Sequence, residues 1–316
     1  MSILSQPHFH NEPAAIARLE AIVWPQGPYC PRCGGFDRIT PVKGGRAGLR
    51  RCGPCKREFT VTVGTIFERS HVKLHKWFQA AHLMASSKKG FSAHQLHRTL
   101  KVTYKTAWFM EHRLREAMAP LKTSGLLGGE GMIVEADTTF IGGKEKNKHR
   151  NKRNAKNIGG MGKEIVHSLV ERGGRVRSDH IASISGKTLR PVVMSQVDRK
   201  SALMTDTAGG YLHLGRAFTR HEMVDHGAGE HGAGEYVRGD AHSNTVESYF
   251  AILKRGIVGT YHSVSRAHLK RYLGEFDVRY NERAALGVSD EVRADRLIGG
   301  IVGKRLTYRD SSSASG

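Results

Sequence analysis

Residues 131–144 read GMIVEADTTFIGGK. Side chains in this run alternate as they do along a β-strand whose two faces meet different surroundings. The alternation sets Ile133, Glu135, Asp137 and Thr139 on one face, and Val134, Ala136 and Phe140 on the other. Acids on an otherwise apolar strand are costly, because a lone buried carboxylate gives up its hydration. A bound metal ion would offset that cost, which makes Asp137 a candidate ligand. Glu135 shares its face and is either a ligand or a supporting group beside one.

Downstream, KEIVHSLVERGGRVRSDHIAS (163–183) breaks at Gly173-Gly174 into two strand-like runs, the pattern of a hairpin. TLRPVVMSQV (188–197) fits a short helix, and SALMTDTAGGYLHL (201–214) opens with an apolar strand ending at Asp206. In GDAHSNTVESYFAILKRGIVGTYHSV (239–264), Val246, Phe250 and Leu253 form the apolar stripe of a helix that also carries Glu247. The order strand, hairpin, helix, strand, helix resembles a ribonuclease-H-like core, an α/β fold with a mixed sheet flanked by helices. Its acids would be Asp137, Asp206 and Glu247, spaced by 69 and 41 residues. Three carboxylates brought together repel one another, so divalent cations must sit between them. Oxygen-only ligands favour Mg2+ or Mn2+, and two such ions about 4 Å apart suit phosphoryl transfer. Lys254 lies two helical turns after Glu247 on the same face, with Arg255 beside it, placed to hold a nucleic-acid phosphate. Asp198 and Asp225 are rivals to Asp206, and Asp240 is a rival to Glu247.

Charge supports a polyanionic partner. Among 316 residues there are 50 Lys and Arg against 29 Asp and Glu, a formal net charge of +21. Such an excess points to nucleic acid. No apolar run approaches the ~20 residues of a membrane span, and MSILSQPHFHNEP does not have the form of a signal peptide. A cytoplasmic, nucleoid-associated location is expected, where cysteines serve as metal ligands more often than as disulfides.

The four cysteines fit that expectation. Cys30 and Cys33, then Cys52 and Cys55, give C-x2-C-x18-C-x2-C, the spacing of a zinc ribbon holding one structural Zn2+. Gly34, Gly35 and Gly53 sit where the tight turns fall. Arg32, Arg38, Lys43, Arg46, Arg50, Arg51, Lys56 and Arg57 coat the module with charge suited to DNA phosphates. Next, GFSAHQLHRTLKVTYKTAWFMEHRLREAM (90–118) reads as a helix-turn-helix. Ser92 and Thr103 are the expected caps, and Lys101, Tyr104 and Lys105 are the side chains offered to DNA. The expected organisation is an N-terminal helix (1–24), the zinc ribbon (25–66), a helix-turn-helix segment (67–122), the catalytic domain (128–285) and a C-terminal extension with a disordered tail (286–316). HGAGE occurs twice, at 226–230 and 231–235, which reads as a lengthened loop.

These residues together resemble the zinc-ribbon-bearing DDE transposases of bacterial insertion sequences. The likeness rests on CPRCGG (30–35) with RCGPC (51–55), FIGGKEKNKH (140–149), LMTD (203–206) and above all residues 234–283, from GEYVRGDAHSNTVESYF to FDVRYNER. It implies Asp137, Asp206 and Glu247 as a catalytic triad, Lys254 as the trailing lysine, and His242 and Asn244 as signature positions beside the site. Asn244, one turn before Glu247, is also a candidate cap for that helix. Thr138 and Thr207 depart from the family, which often carries Glu after each aspartate. The implied activity has two steps. Water cleaves the end of an element and frees a 3′-hydroxyl, which then attacks a target-strand phosphate. Partners would be the terminal inverted repeats, target DNA and further copies of the chain, in a homodimer or larger assembly. Two other readings fit parts of this pattern: a non-catalytic DNA-binding regulator, and a nuclease without strand transfer.

Overall fold

The computed structural model describes residues 2–119, 125–143, 145–155, 157, 160–212, 214–224 and 238–307. The doubled HGAGE, Asp225, the tail RDSSSASG (309–316) and part of the linker-like stretch at 121–131 lie outside the described residues. The chain divides into two units, Met1–Ala119 with Glu282–Gly316, and Pro120–Asn281.

The first unit opens with α1 (Glu12–Val23), capped by Asn11, whose side chain accepts from the Ala14 amide at 3.0 Å. Three short strands follow, β1 (Ile39–Pro41), β2 (Arg50–Cys52) and β3 (Glu58–Phe59), in one antiparallel sheet. Then come α2 (Leu74–Ser86), α3 (Ala93–Leu100) and α4 (Tyr104–Ala117). The Glu12 carboxylate serves as a remote cap for α2, accepting from the amides of Leu74 and His75 at 2.8 and 3.2 Å. Ser92 and Gln95 close a capping box on α3, and Thr103 caps α4. Between them Lys101 adopts φ +49°, the left-handed turn that reverses the chain. The region read as a C-terminal extension carries α8 (Asp290–Gly299), whose Leu297 and Ile298 are buried and whose Arg293 donates to the Ala85 carbonyl at the end of α2.

The second unit is built on a five-stranded mixed sheet of β4 (Ile133–Ile141), β5 (Glu164–Glu171), β6 (Val176–Ile181), β7 (Ala202–Asp206) and β8 (Arg220–Val224), with α5 (Gly186–Gln196) ahead of β7 and α6 (Asn244–Gly256) and α7 (Arg266–Asn281) at its end. The strand order is β6-β5-β4-β7-β8, the ribonuclease-H-like arrangement. β4 pairs antiparallel with β5 and parallel with β7, and β7 runs parallel to β8. The alternation expected for β4 decides the packing. Val134 and Ala136 join Leu169, Leu203 and α5 residues Leu189 and Val193 in one core. Ile141, with Val166 and Val170, packs on the other face against Val246, Phe250 and Leu253 of α6 and Leu273 and Phe276 of α7. Each such buried aliphatic or aromatic side chain contributes about 1.5–3 kcal/mol. No helix among the described residues is long and apolar enough to cross a membrane.

Candidate active site

Register alone places two acids side by side. Ala136 of β4 lies opposite Thr205 of β7, in parallel, so Asp137 and Asp206 are the next residues on adjacent central strands. They share the sheet face covered by α6, whose first turn carries Glu247. The Asp137 carboxyl is pushed up to about 7, first by burial, then by the charges of Asp206 and Glu247; the Thr138 amide and Lys254 act in the opposite direction. Thus the three acids and Lys254 act on one point, although they lie up to 117 residues apart, 254 − 137. Asp137 accepts from the Thr138 amide at 2.6 Å, Asp206 from the Ala208 amide at 3.2 Å, and Glu247 from the Ser243 hydroxyl at 3.3 Å.

The donor set suits hard cations: oxygen only, with the Asp137 carboxyl raised by burial and by neighbouring acids whose repulsion a divalent ion would relieve. The three carboxylates do not all come within 4.8 Å of one another. Ligands arranged around two ions about 4 Å apart span more than ligands around one.

Glu135 is fully buried and turned to another task. Its Oε2 accepts from the amides of Thr245 and Val246 at 2.8 and 3.0 Å, and its Oε1 accepts from the Thr245 hydroxyl at 2.8 Å. A carboxylate on β4 therefore caps α6, where the helix dipole favours negative charge. Asn244, expected as that cap, is instead the first residue of the helix and is exposed. Arg172, in the β5–β6 turn, donates to Glu135 at 2.6 Å and to the carbonyls of Asp240 and His242 at 2.8 and 2.9 Å. His242 Nδ1 lies 3.0 Å from Arg172 and 3.3 Å from Glu135. The sequence reading missed Arg172, because nothing in a hairpin turn signals a partner 70 residues on. It also missed Asp277, buried on α7 and pushed up to about 7 by that burial. Asp277 accepts from the Ser178 amide at 2.8 Å and from the Tyr249 hydroxyl at 2.6 Å, tying the second turn of α6 to β6 and α7. Glu247 is thus fixed between two anchors.

The rival acids among the described residues, Asp198 and Asp240, are occupied elsewhere. Asp198 accepts from the Lys200 amide in an exposed turn, and Asp240 pairs with Arg220, which holds its carboxyl below the usual range. Lys254 and Arg255 are exposed in the last turn of α6, with Arg255 donating to the Ala251 carbonyl.

In the first unit the cysteines meet as their spacing requires. Sγ of Cys30 and Cys55, and of Cys33 and Cys52, are 3.7 Å apart, and all four lie within 4.8 Å of one another. A zinc tetrahedron with Zn–S near 2.3 Å has edges of about 3.8 Å, so the site fits Zn2+. Gly34 (φ +73°) and Lys56 (φ +59°) take the same left-handed turn after the second cysteine of each pair. Removing the ion should unfold β1–β3, since the ribbon has little core of its own. Chelation, or Cys33→Ser, is expected to release about one zinc per chain and open residues 25–66 to protease while the second unit stays protected.

Arg50 does not face outward as a phosphate contact would. Its guanidinium makes a two-pronged pair with Glu20 at 3.0 and 2.7 Å and lies over Trp24. Arg51 is exposed, as are Lys101, Tyr104 and Lys105; Tyr104 stacks on His94 with ring centroids 4.4 Å apart.

Comparison with known proteins points to one family. Residues 126–281 match the ISXO2-like transposase domain, and residues 10–58 match a transposase zinc-ribbon domain. A protein of Halobacterium salinarum, described as an uncharacterized protein in transposable element ISH50, is 30% identical over 290 residues, covering 86% of this chain and 91% of that protein.

Proposed function

The chain belongs to the ISXO2-like transposases, and from that premise we propose that it cleaves the ends of its own element and joins the freed 3′-hydroxyls to target DNA. The observation that carries this reading is the meeting of Asp137 and Asp206 on adjacent parallel strands beneath the helix bearing Glu247. These three side chains are the proposed ligands of two Mg2+ or Mn2+ ions. When bound, the ions supply positive charge to the phosphoryl oxygens and to the attacking and leaving oxygens. Glu135 and Arg172 hold α6 in place, so Glu247 meets the aspartates without searching. Lys254 and Arg255 hold a strand phosphate near the reacting one. No side chain forms a bond to DNA; water attacks first and the 3′-hydroxyl second.

The zinc ribbon and the α3–α4 pair, through Arg51, Lys101, Tyr104 and Lys105, are the proposed readers of the terminal repeats. Two ends must be held together, so a dimer or larger assembly on DNA is part of the proposal, as is a cytoplasmic, nucleoid-associated site of action. Incubating the protein with its end sequences, Mg2+ and a target plasmid tests the reading. Joined products are expected. Cleavage without joining would make it a nuclease, and binding without cleavage a regulator.

A further inference from the structure

The segment between β4 and β5, residues 142–163, holds eight Lys and Arg against one acid, Glu145. A charge run of this kind is ordinarily a solvated loop. Here the described part is folded, and folded so as to withdraw its acid. Glu145 accepts from the Asn154 amide at 2.7 Å and pairs with Lys148 at 2.8 Å. Those two contacts, Lys148 foremost, hold its carboxyl down at about 2. Arg153 donates to the carbonyls of Lys148 and Lys146 at 2.9 and 2.6 Å, closing the loop on itself. Lys146, His149, Arg150 and Lys152 are all exposed. The fold thus maintains a cluster of like charges, a self-repulsion that a polyanion relieves.

Position gives the cluster its partner. The loop leaves β4 after Ile141, four residues or about 13 Å of strand beyond Asp137. That is the end of the sheet at which β7 terminates on Asp206. DNA engaged at the acids would therefore meet a loop that starts from the same end of the sheet. Its exposed cations, with Asn147 and Asn151 among them, are carried on single 3-10 turns rather than on a helix that could enter a groove and reach base edges. Such a surface reads phosphates and not bases, which suits a substrate of indifferent sequence. We propose that Lys146, Arg150 and Lys152 form a sequence-independent clamp on target DNA, as distinct from the element's ends; the assignment rests on the transposase reading above.

The test is a triple variant, Lys146→Gln, Arg150→Gln and Lys152→Gln, with a charge-preserving control, Lys146→Arg and Lys152→Arg. Expected for the triple variant are unchanged end binding and end cleavage, joining to a target plasmid lowered at least 10-fold at 150 mM KCl, and recovery of joining at low salt. The slope of log affinity against log salt for a random duplex should fall by about 3, near 0.9 per phosphate contact. The control should match wild type. Unchanged joining and slope would overturn the clamp, and parallel losses of end binding, cleavage and joining would assign the loop to the element's ends instead. If the triple variant melts early, Arg150→Gln alone should show a slope change of about 1. Failure of wild type to cleave or join would remove the transposase reading itself, which the salt slope does not depend on.

Discussion

Asp137→Asn is expected to reduce end cleavage and joining by about 1000-fold or more while leaving end binding intact. A bound ion supplies several kcal/mol of stabilisation in phosphoryl transfer, and each 1.36 kcal/mol is a factor of ten. The same substitution carries a second signature with the opposite sign. In the metal-free chain the Asp137 carboxyl is raised to about 7, against an ordinary value near 3.9. A raised acid stabilises the fold while protonated, so its contribution is full below about pH 4 and is lost as pH climbs through about 7. Asn never ionises. Without metal, the variant should therefore be the more stable protein at pH 8 and no more stable than wild type at pH 4. Mg2+ should raise the wild-type Tm at pH 8, where the proton is already gone, and do so weakly at pH 5.5. The raised Asp277 titrates in the same window but is present in both proteins, so the difference between the two Tm–pH curves isolates Asp137. A variant that joins DNA as wild type does, or whose Tm–pH curve overlies it, would remove Asp137 from the site.

What could be read in advance was what recurs at short range. Period-two alternation sets the faces of β4, and with them which side of the sheet Asp137 meets. The spacing of Val246, Phe250 and Leu253 gives α6 its buried face, and CxxC spacing gives the ribbon its four thiols. Partners escape this kind of reading. Glu135 and Asp137 have the same local pattern, and only the fold shows that one meets the first turn of α6, 110 residues away, while the other meets acids. Asn244 has the chemistry of a cap, yet of the amides it would have served Val246 is taken by Glu135 and Glu247 by the Ser243 carbonyl. Arg50 sits in a basic coat that suggests phosphates, but Glu20, 30 residues upstream, claims it. In each case a charge found its complement across the fold, and a helical or strand period holds no record of that.

Glu135→Ala tests this division of labour, and its expected effect is large without metal or DNA present. The substitution leaves the amides of Thr245 and Val246 and the Arg172 guanidinium without their shared acceptor. Breaking a buried charged pair typically costs about 3–5 kcal/mol; Arg172 keeps some contact with water, so the lower figure applies. For the second unit, which carries Glu135, that is a Tm loss of about 6–12 °C. Glu135→Gln should fall between, since one amide oxygen can still accept from α6 while its NH2 group faces Arg172, donor against donor. If Glu135 anchors the helix, amide hydrogen exchange across the first turn of α6 must accelerate in the metal-free Gln variant, while β4 and β5 remain protected. End cleavage should fall and then partly recover as Mg2+ is raised, because a loosened Glu247 still finds its ion at higher occupancy. A ligand behaves otherwise: its loss leaves metal-free exchange untouched and resists rescue by added ion. Slow, wild-type exchange at Thr245 and Val246 in the Gln variant, together with lost activity, would therefore move Glu135 from the support of the site into its metal-binding set.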